Sequence, residues 1–192
     1  MAKPNSFLLE TLLSAVRSCR ACADLPCGPR PVLRVHPAAR LLLIGQAPGR
    51  RVHDTGVPWN DRSGARLRAW LGLSPEVFYG PLVAIIPMGL CYPGTGPRGD
   101  LPPRRQCAPL WFGSLRAQLP AVECTVLIGL HAIRYHLPQR QPLAALLRDA
   151  GDGHHLVLPH PSGRNNAWLA RHPWFEAECL PVLRERIAAL LA

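Results

Sequence analysis

Four short apolar runs, at 40–45, 82–87, 124–129 and 154–158, are separated by stretches whose apolar residues recur at helical spacing. Runs that short and that continuously apolar read as strands buried on both faces. Such strands, joined through helices, form a parallel sheet covered on both sides. The expected architecture is therefore α/β, a three-layer α/β/α sandwich with a central four-stranded parallel sheet. Helices are expected at 6–18, 63–72, 104–119, 130–137 and 141–149. A last helical region from about 164 to 191 is expected to be divided at Pro173 and Pro181, because proline removes a helix N–H. With 192 residues, no internal repeat and no linker, residues 1–192 are expected to form one domain.

Composition narrows the setting. Apolar residues make up 48% of the chain, enough for a substantial core. No run approaches the ~18 apolar residues of a membrane span, and the N-terminus lacks a signal-peptide pattern. A cytoplasmic protein without a membrane partner is expected, with its seven cysteines reduced or bound to metal. The net charge is +10, and 21 of the 22 basic residues are Arg, Lys3 being the exception. Arg forks suit phosphate, which points to nucleic acid, although a GC-rich genome gives the same bias.

The loop leaving the first strand carries the densest chemistry. Leu41 to Ile44 runs into Gly45, Gln46, Ala47, Pro48 and Gly49, and the segment continues through His53, Asp54 and Gly56 to Trp59. In a parallel sheet, ligands bind where loops leave the carboxyl ends of strands. An amide, a His-Asp pair and an aromatic plate there would stack and hydrogen-bond a flat heterocycle; an ordinary Gly/Pro turn after a core strand reads equally well. The fourth strand runs into Pro159-His160-Pro161-Ser162-Gly163-Arg164-Asn165-Asn166, on the same edge of the sheet. His160 could donate to developing negative charge, and Ser162 with the pair Asn165 and Asn166 could hold a phosphate, Arg164 beside them. Ser162, Asn165 and Asn166 also fit a helix N-cap. Trp168, Arg171, His172 and Trp174 read either as a nucleic-acid-facing surface or as core. The segment 88–103 reads as a long irregular loop, which in a compact domain is usually functional or disordered.

Cys19 and Cys22 form a Cys-x2-Cys pair with Cys27 just beyond it; Cys91 follows the second strand and Cys107 opens the next helix. Four thiolates from two separated segments could close round a tetrahedral zinc or a cubane iron–sulfur cluster, with Cys27 as a substitute for one of them. Cys124, in a strand, and Cys179, in a helix, read as small buried hydrophobes.

Together these pieces resemble the uracil-DNA glycosylase superfamily, most closely its iron–sulfur-containing bacterial and archaeal branch (family 4). That branch reads Gly-Glu-Ala-Pro-Gly and then Gly-x-Pro-Phe; here Gly45-Gln46-Ala47-Pro48-Gly49 leads to Gly56-Val57-Pro58-Trp59 with the same intervening length. Its cysteine pairs are matched by Cys19, Cys22, Cys91 and Cys107, its Leu-Leu-Gly strand end by Leu127-Ile128-Gly129, and its final motif by His160-Pro161-Ser162. The resemblance implies a monomeric DNA glycosylase that flips out and excises uracil or another deaminated base, with a 4Fe-4S cluster on those four cysteines (zinc being the lesser alternative). It implies stacking on Trp59, base contacts from Gln46 and Ala47, and His160 stabilising the leaving base. Asp54 is the expected carboxylate, with His53 in reserve.

The departures are specific. Gln46 stands where the branch has Glu, its acidic run becomes Arg50-Arg51-Val52-His53-Asp54, and the Asn that reads the uracil edge is Pro87 here. Asn60 is the expected substitute reader. Two other readings stay open: a nucleic-acid-binding relative without hydrolysis, and a glycosylase-fold enzyme acting on a small molecule.

Overall fold

The computed structural model describes residues 6–97, 99–137, 141–148 and 154–192. Its frame is a four-stranded sheet built from β1 (Leu41–Ile44), β2 (Val83–Ile85), β5 (Cys124–Ile128) and β6 (His155–Leu158) in the order β2-β1-β5-β6, every pairing parallel. The four expected strands form, each within two residues of its expected bounds. Register follows from the apolar runs: Leu41 pairs with Val83 and Cys124, and Leu43 with Ile85 and Val126.

Successive strand residues face opposite sides, so the sheet feeds two cores. Leu42, Ile44, Ala84, Ile86 and Leu127 pack with residues of α1 (Ser6–Arg17), α5 (Cys107–Ala117) and α6 (Leu130–His136). Leu41, Leu43, Val83, Ile85, Val126 and Ile128 pack on the other side with α3 (Arg62–Leu71) and α9 (Leu180–Leu191). Helices thus cover both faces, as the strand pattern requires. No helix among the described residues is long and apolar enough to cross a membrane.

Four local outcomes differ from the sequence expectation. The segment after β1 is not all loop: α2 (Arg50–Thr55) forms inside it, entered from the extended Gly49 and stopped by Gly56 at φ 72, whose N–H returns to the Val52 carbonyl. A short helix, α4 (Pro75–Phe78), is capped by the Ser74 side chain on the Val77 N–H. The long segment after β2 contains a hairpin, β3 (Thr95–Gly96) against β4 (Gly99–Asp100). Farther on, α7 (Leu143–Arg148) and α8 (Asn166–Arg171) flank β6, and the chain breaks after His172 as Pro173 demands. Pro181 does not divide the last helix. A π segment, Phe175–Cys179, widens the turn before it, and Pro181 sits in the first turn of α9, where its missing N–H is tolerated.

The order β2-β1-β5-β6 sends the chain from β1 to one side and later to the other. The crevice above the carboxyl ends of β1 and β5 is therefore the switch point where open α/β sheets bind ligands. Both strands end there on a glycine, Gly45 and Gly129.

Candidate functional site

A cavity of about 570 Å³ opens at this switch point, lined among others by Gly45, Gln46, Ala47, Trp59, Gly129 and His160. Trp59 is its fixed wall. Among the described residues it is the one non-glycine with a positive φ, 57°. Two glycines make room for it: a Cβ on Gly45 would stand 2.7 Å from the indole, and one on Gly64 only 1.7 Å from the Trp59 carbonyl oxygen. That carbonyl accepts from Arg68 at 3.2 Å, while the Tyr79 hydroxyl donates to the Pro58 carbonyl at 2.9 Å. The glycines thus admit the ring and its carbonyl, and the two hydrogen bonds hold the backbone that carries the plate.

His160 faces it, the ring centroids 5.8 Å apart. Its Nδ1 accepts the Ser162 backbone N–H at 3.3 Å, and its carbonyl accepts from Asn165 Nδ2 at 2.6 Å. An Nδ1 used as acceptor leaves the proton of a neutral imidazole on Nε2, free for a ligand. Burial holds His160 below its ordinary pKa of 6.5; Asp61 opposes this, and Arg164 and His131 reinforce it. At neutral pH the ring is a neutral donor.

Burial likewise lowers His131 and pushes His136 down to about 4. His136 packs its ring against Phe112, and its Nε2 has no hydrogen-bond partner among the described residues. For a histidine with a depressed folded pKa, the unfolded chain takes up the proton first as pH falls, so stability drops below the unfolded pKa. Stability is thus expected to be flat above pH 6.5 and to fall from there toward about 4. Melting temperature followed between pH 8 and 4.5 checks this, and His136→Phe should flatten the decline.

The structure gathers some predicted residues and separates others. Gln46, Ala47, Trp59, His160, Ser162, Arg164 and Asn165 all line the cavity, as does Pro87. Gln46 Nε2 donates to the Leu101 carbonyl at 3.4 Å, and its Oε1 remains as an acceptor. Asn60 is half-buried but not among the lining residues. His53 and Asp54 are carried away by α2. Asp54 is exposed and paired with Arg50 at 3.0 Å, and its carbonyl takes a hydrogen bond from Arg30. His53 is buried beside Tyr92, its Nδ1 without a hydrogen-bond partner among the described residues. The carboxylates that do line the cavity are Asp61 and Asp100, which the sequence reading passed over. Asp61 had a local signal, since it caps α3 through Oδ1 on the Gly64 N–H at 2.7 Å, two residues beyond the stacking aromatic. Asp100 had none beyond its place in the long segment after β2.

The expected cap at 162–166 is absent in the side chains: neither Ser162 nor Asn165 makes a side-chain cap bond. Asn166 instead accepts from Arg66 at 2.8 Å. Trp168 stacks on His172 with centroids 4.2 Å apart and meets Trp174 and Phe175 edge-on. Arg148 lies 4.0 Å above the Trp174 ring. This aromatic group packs against the core, and Trp168 alone of the set lines the cavity.

Cys19, Cys22, Cys91 and Cys107 line one small cavity between the N-terminal segment and the start of α5. Each sulfur meets an N–H donor: Trp111 Nε1 on Cys19 at 3.4 Å, Gln106 Nε2 on Cys22 at 3.2 Å, the Leu90 backbone on Cys107 at 3.3 Å and the Arg30 backbone on Cys91. Burial pushes the Cys91 thiol up to about 11. No three His, Cys, Asp or Glu among the described residues are gathered as they would be round a single ion. Cys27 stands apart, facing Arg50 at 3.5 Å, and Cys124 is buried in β5 as expected.

Compared with known families, residues 34–184 match the model described as the Uracil DNA glycosylase superfamily. The match spans both walls of the cavity, Cys91 and Cys107, and leaves Cys19 and Cys22 outside it.

Proposed function

The chain belongs to the uracil-DNA glycosylase superfamily, and from that footing we propose that it is a DNA glycosylase that extrudes a damaged base and hydrolyses its N-glycosidic bond. The observation that carries this is the opposition of a locked indole face and a neutral imidazole across a cavity at the sheet's switch point. The extruded base stacks on Trp59, offsetting part of the roughly few kcal/mol that unstacking costs. Gln46 Oε1 accepts from a lactam N–H. As the bond between C1′ and the base nitrogen breaks, the electron pair leaves with the base, and His160 Nε2–H donates to the negative charge that grows there. A water adds to C1′ and gives its proton to a carboxylate. Asp61 fills that role better than the expected Asp54 or His53, because it lines the cavity and its charge reaches His160. Ser162, Arg164 and Asn165 on the rim hold the flanking phosphates, and a net charge of +10 draws the backbone in.

The four cysteines fit a 4Fe-4S cluster by the chemistry of their donor set. N–H groups aimed at sulfur stabilise thiolate charge, and a cubane takes one thiolate at each of its four irons, which a set of four cysteines supplies. The cluster would tie Cys19 and Cys22 to the segment between Cys91 and Cys107 and serve as a structural clamp. Anaerobically purified protein is expected to be brown and to contain iron, and Cys107→Ala to lose colour and melting temperature together. Colourless, iron-free protein from such a preparation would reject the cluster.

The decisive experiment is base excision from oligonucleotides carrying uracil, hypoxanthine, xanthine or mismatched thymine. Pro87 in the base-reading position makes the breadth of the panel important. Cleavage of one lesion supports the proposal. Salt-sensitive binding with no cleavage of any lesion would instead indicate a DNA-binding relative that no longer hydrolyses.

A further inference from the structure

Two carboxylates flank Gly49. A Cβ there would lie 3.3 Å from Asp100 Oδ2 and 3.9 Å from Asp61 Oδ2, so both oxygens border the same side-chain-free spot on the cavity wall. In each residue the other oxygen is occupied. Asp61 Oδ1 accepts the Gly64 N–H at 2.7 Å, and Asp100 Oδ1 accepts from Thr95 Oγ1 at 3.4 Å. Thr95 in turn bonds the Tyr92 hydroxyl. The direction of this chain is fixed by inventory: an ionised carboxylate only accepts, so Thr95 gives it the one hydroxyl proton, and Tyr92 must donate to Thr95. Tyr92 is buried at 4% exposure and anchors the chain from below.

Resting on the glycosylase reading, we propose that Asp100 is a second catalytic carboxylate, which with Asp61 holds the attacking water, and that Thr95 is its positioning residue, backed by Tyr92. Two converging acceptors call for a ligand with two donors, and water is the simplest. A lactam edge presents one N–H flanked by carbonyl oxygens, which a carboxylate pair repels. With both protons of the water pointed at Asp61 and Asp100, its lone pair is free for C1′. The O–C1′ bond forms as the C1′–N bond breaks. One water proton passes to the carboxylate pair, and the base departs as an anion hydrogen-bonded to His160. The two negative charges also favour the cationic sugar of the transition state. The hairpin β3–β4 thereby joins the catalytic wall.

The test is single-turnover excision of whichever lesion the panel identifies. Affinity is measured in parallel for the same base on a non-hydrolysable 2′-fluoro sugar. Asp100→Asn is expected to slow excision roughly 10- to 100-fold at unchanged affinity and melting temperature. Thr95→Val should slow it several-fold and Thr95→Ser restore it. The Asp61→Asn/Asp100→Asn double variant should fall short of the product of the single losses, as residues acting on one water do. Full activity of Asp100→Asn overturns the proposal. So does a loss of 2′-fluoro binding that accounts for the whole rate loss, which would make Asp100 a base reader. A wild-type protein inert on every lesion rejects the glycosylase reading itself, a result separable from both.

Discussion

His160→Ala is expected to slow base excision by about two to three orders of magnitude, the usual cost of deleting one preorganised donor to a developing anion. The geometry makes this loss chemical rather than structural. His160 is held at its backbone, its carbonyl accepting from Asn165 Nδ2 at 2.6 Å, so truncating the ring gives up the 3.3 Å contact of the Ser162 N–H with Nδ1 and keeps the backbone hold on the loop. A Cβ on Gly129 would lie 3.2 Å from His160 Cβ, so the glycine leaves room for the backbone and Cβ at 160, which His160→Ala retains. Affinity for a 2′-fluoro lesion duplex should therefore stay within a few-fold while the single-turnover rate collapses. Because burial keeps the ring neutral, acid added between pH 8 and 7 should not change the His160-dependent part of the rate. A His160→Ala variant with near-normal rates would remove this residue from the chemistry.

Gly64→Ala is expected to be the most damaging single substitution in the scaffold. In an ordinary helix, Ala is better than Gly by about 0.5–1 kcal/mol. Gly64 lies inside α3 and is buried, yet a Cβ would stand 1.7 Å from the Trp59 carbonyl oxygen and 2.5 Å from its carbon. Those are backbone atoms, so no rotamer relieves the overlap; either α3 or the Trp59 segment must move. A loss of about 4 kcal/mol or more is the scale for such a forced shift, and at 2–4 °C per kcal/mol that lowers the melting temperature by about 10 °C or more. Gly113 supplies the internal control. It is also inside a helix, α5, but a Cβ there meets nothing within 4 Å, so Gly113→Ala should be neutral to stabilising by up to ~1 kcal/mol. Thermal melts of the two variants side by side check the argument, and equal effects would sink it.

The sheet was legible because burial on both faces leaves runs such as Leu41 to Ile44 with no polar residue, and such a run has one natural place in an α/β protein. The two cavity walls followed from it, since Trp59 and His160 sit on loops that leave parallel strands on one edge. Which carboxylates line the cavity was not legible, and α2 is the reason. Six residues of helix between Gly49 and Gly56 carry Asp54 outward to Arg50, and nothing in Arg-Arg-Val-His-Asp-Thr has the length or periodicity to announce a helix. Asp100 was hidden more deeply. It reaches the cavity only because a two-residue-per-strand hairpin folds back from β2, and hairpins that short leave no alternating pattern to read. The four cysteines were legible as a group through spacing, whereas the N–H donor that serves each sulfur comes from residues scattered from 30 to 111.

The wedging of Trp59 between Gly45 and Gly64 bears on how the protein would search DNA. An indole packed on Gly45, with its backbone carbonyl held by Arg68, presents its face before any base arrives, so capture spends less binding energy on ordering the pocket. The cost of recognition then falls on the duplex, in the opening of the pair that holds the lesion. Lesions in weak or mismatched pairs would be taken first, at a rate set by how often each pair breathes, before any group in the cavity has read the base.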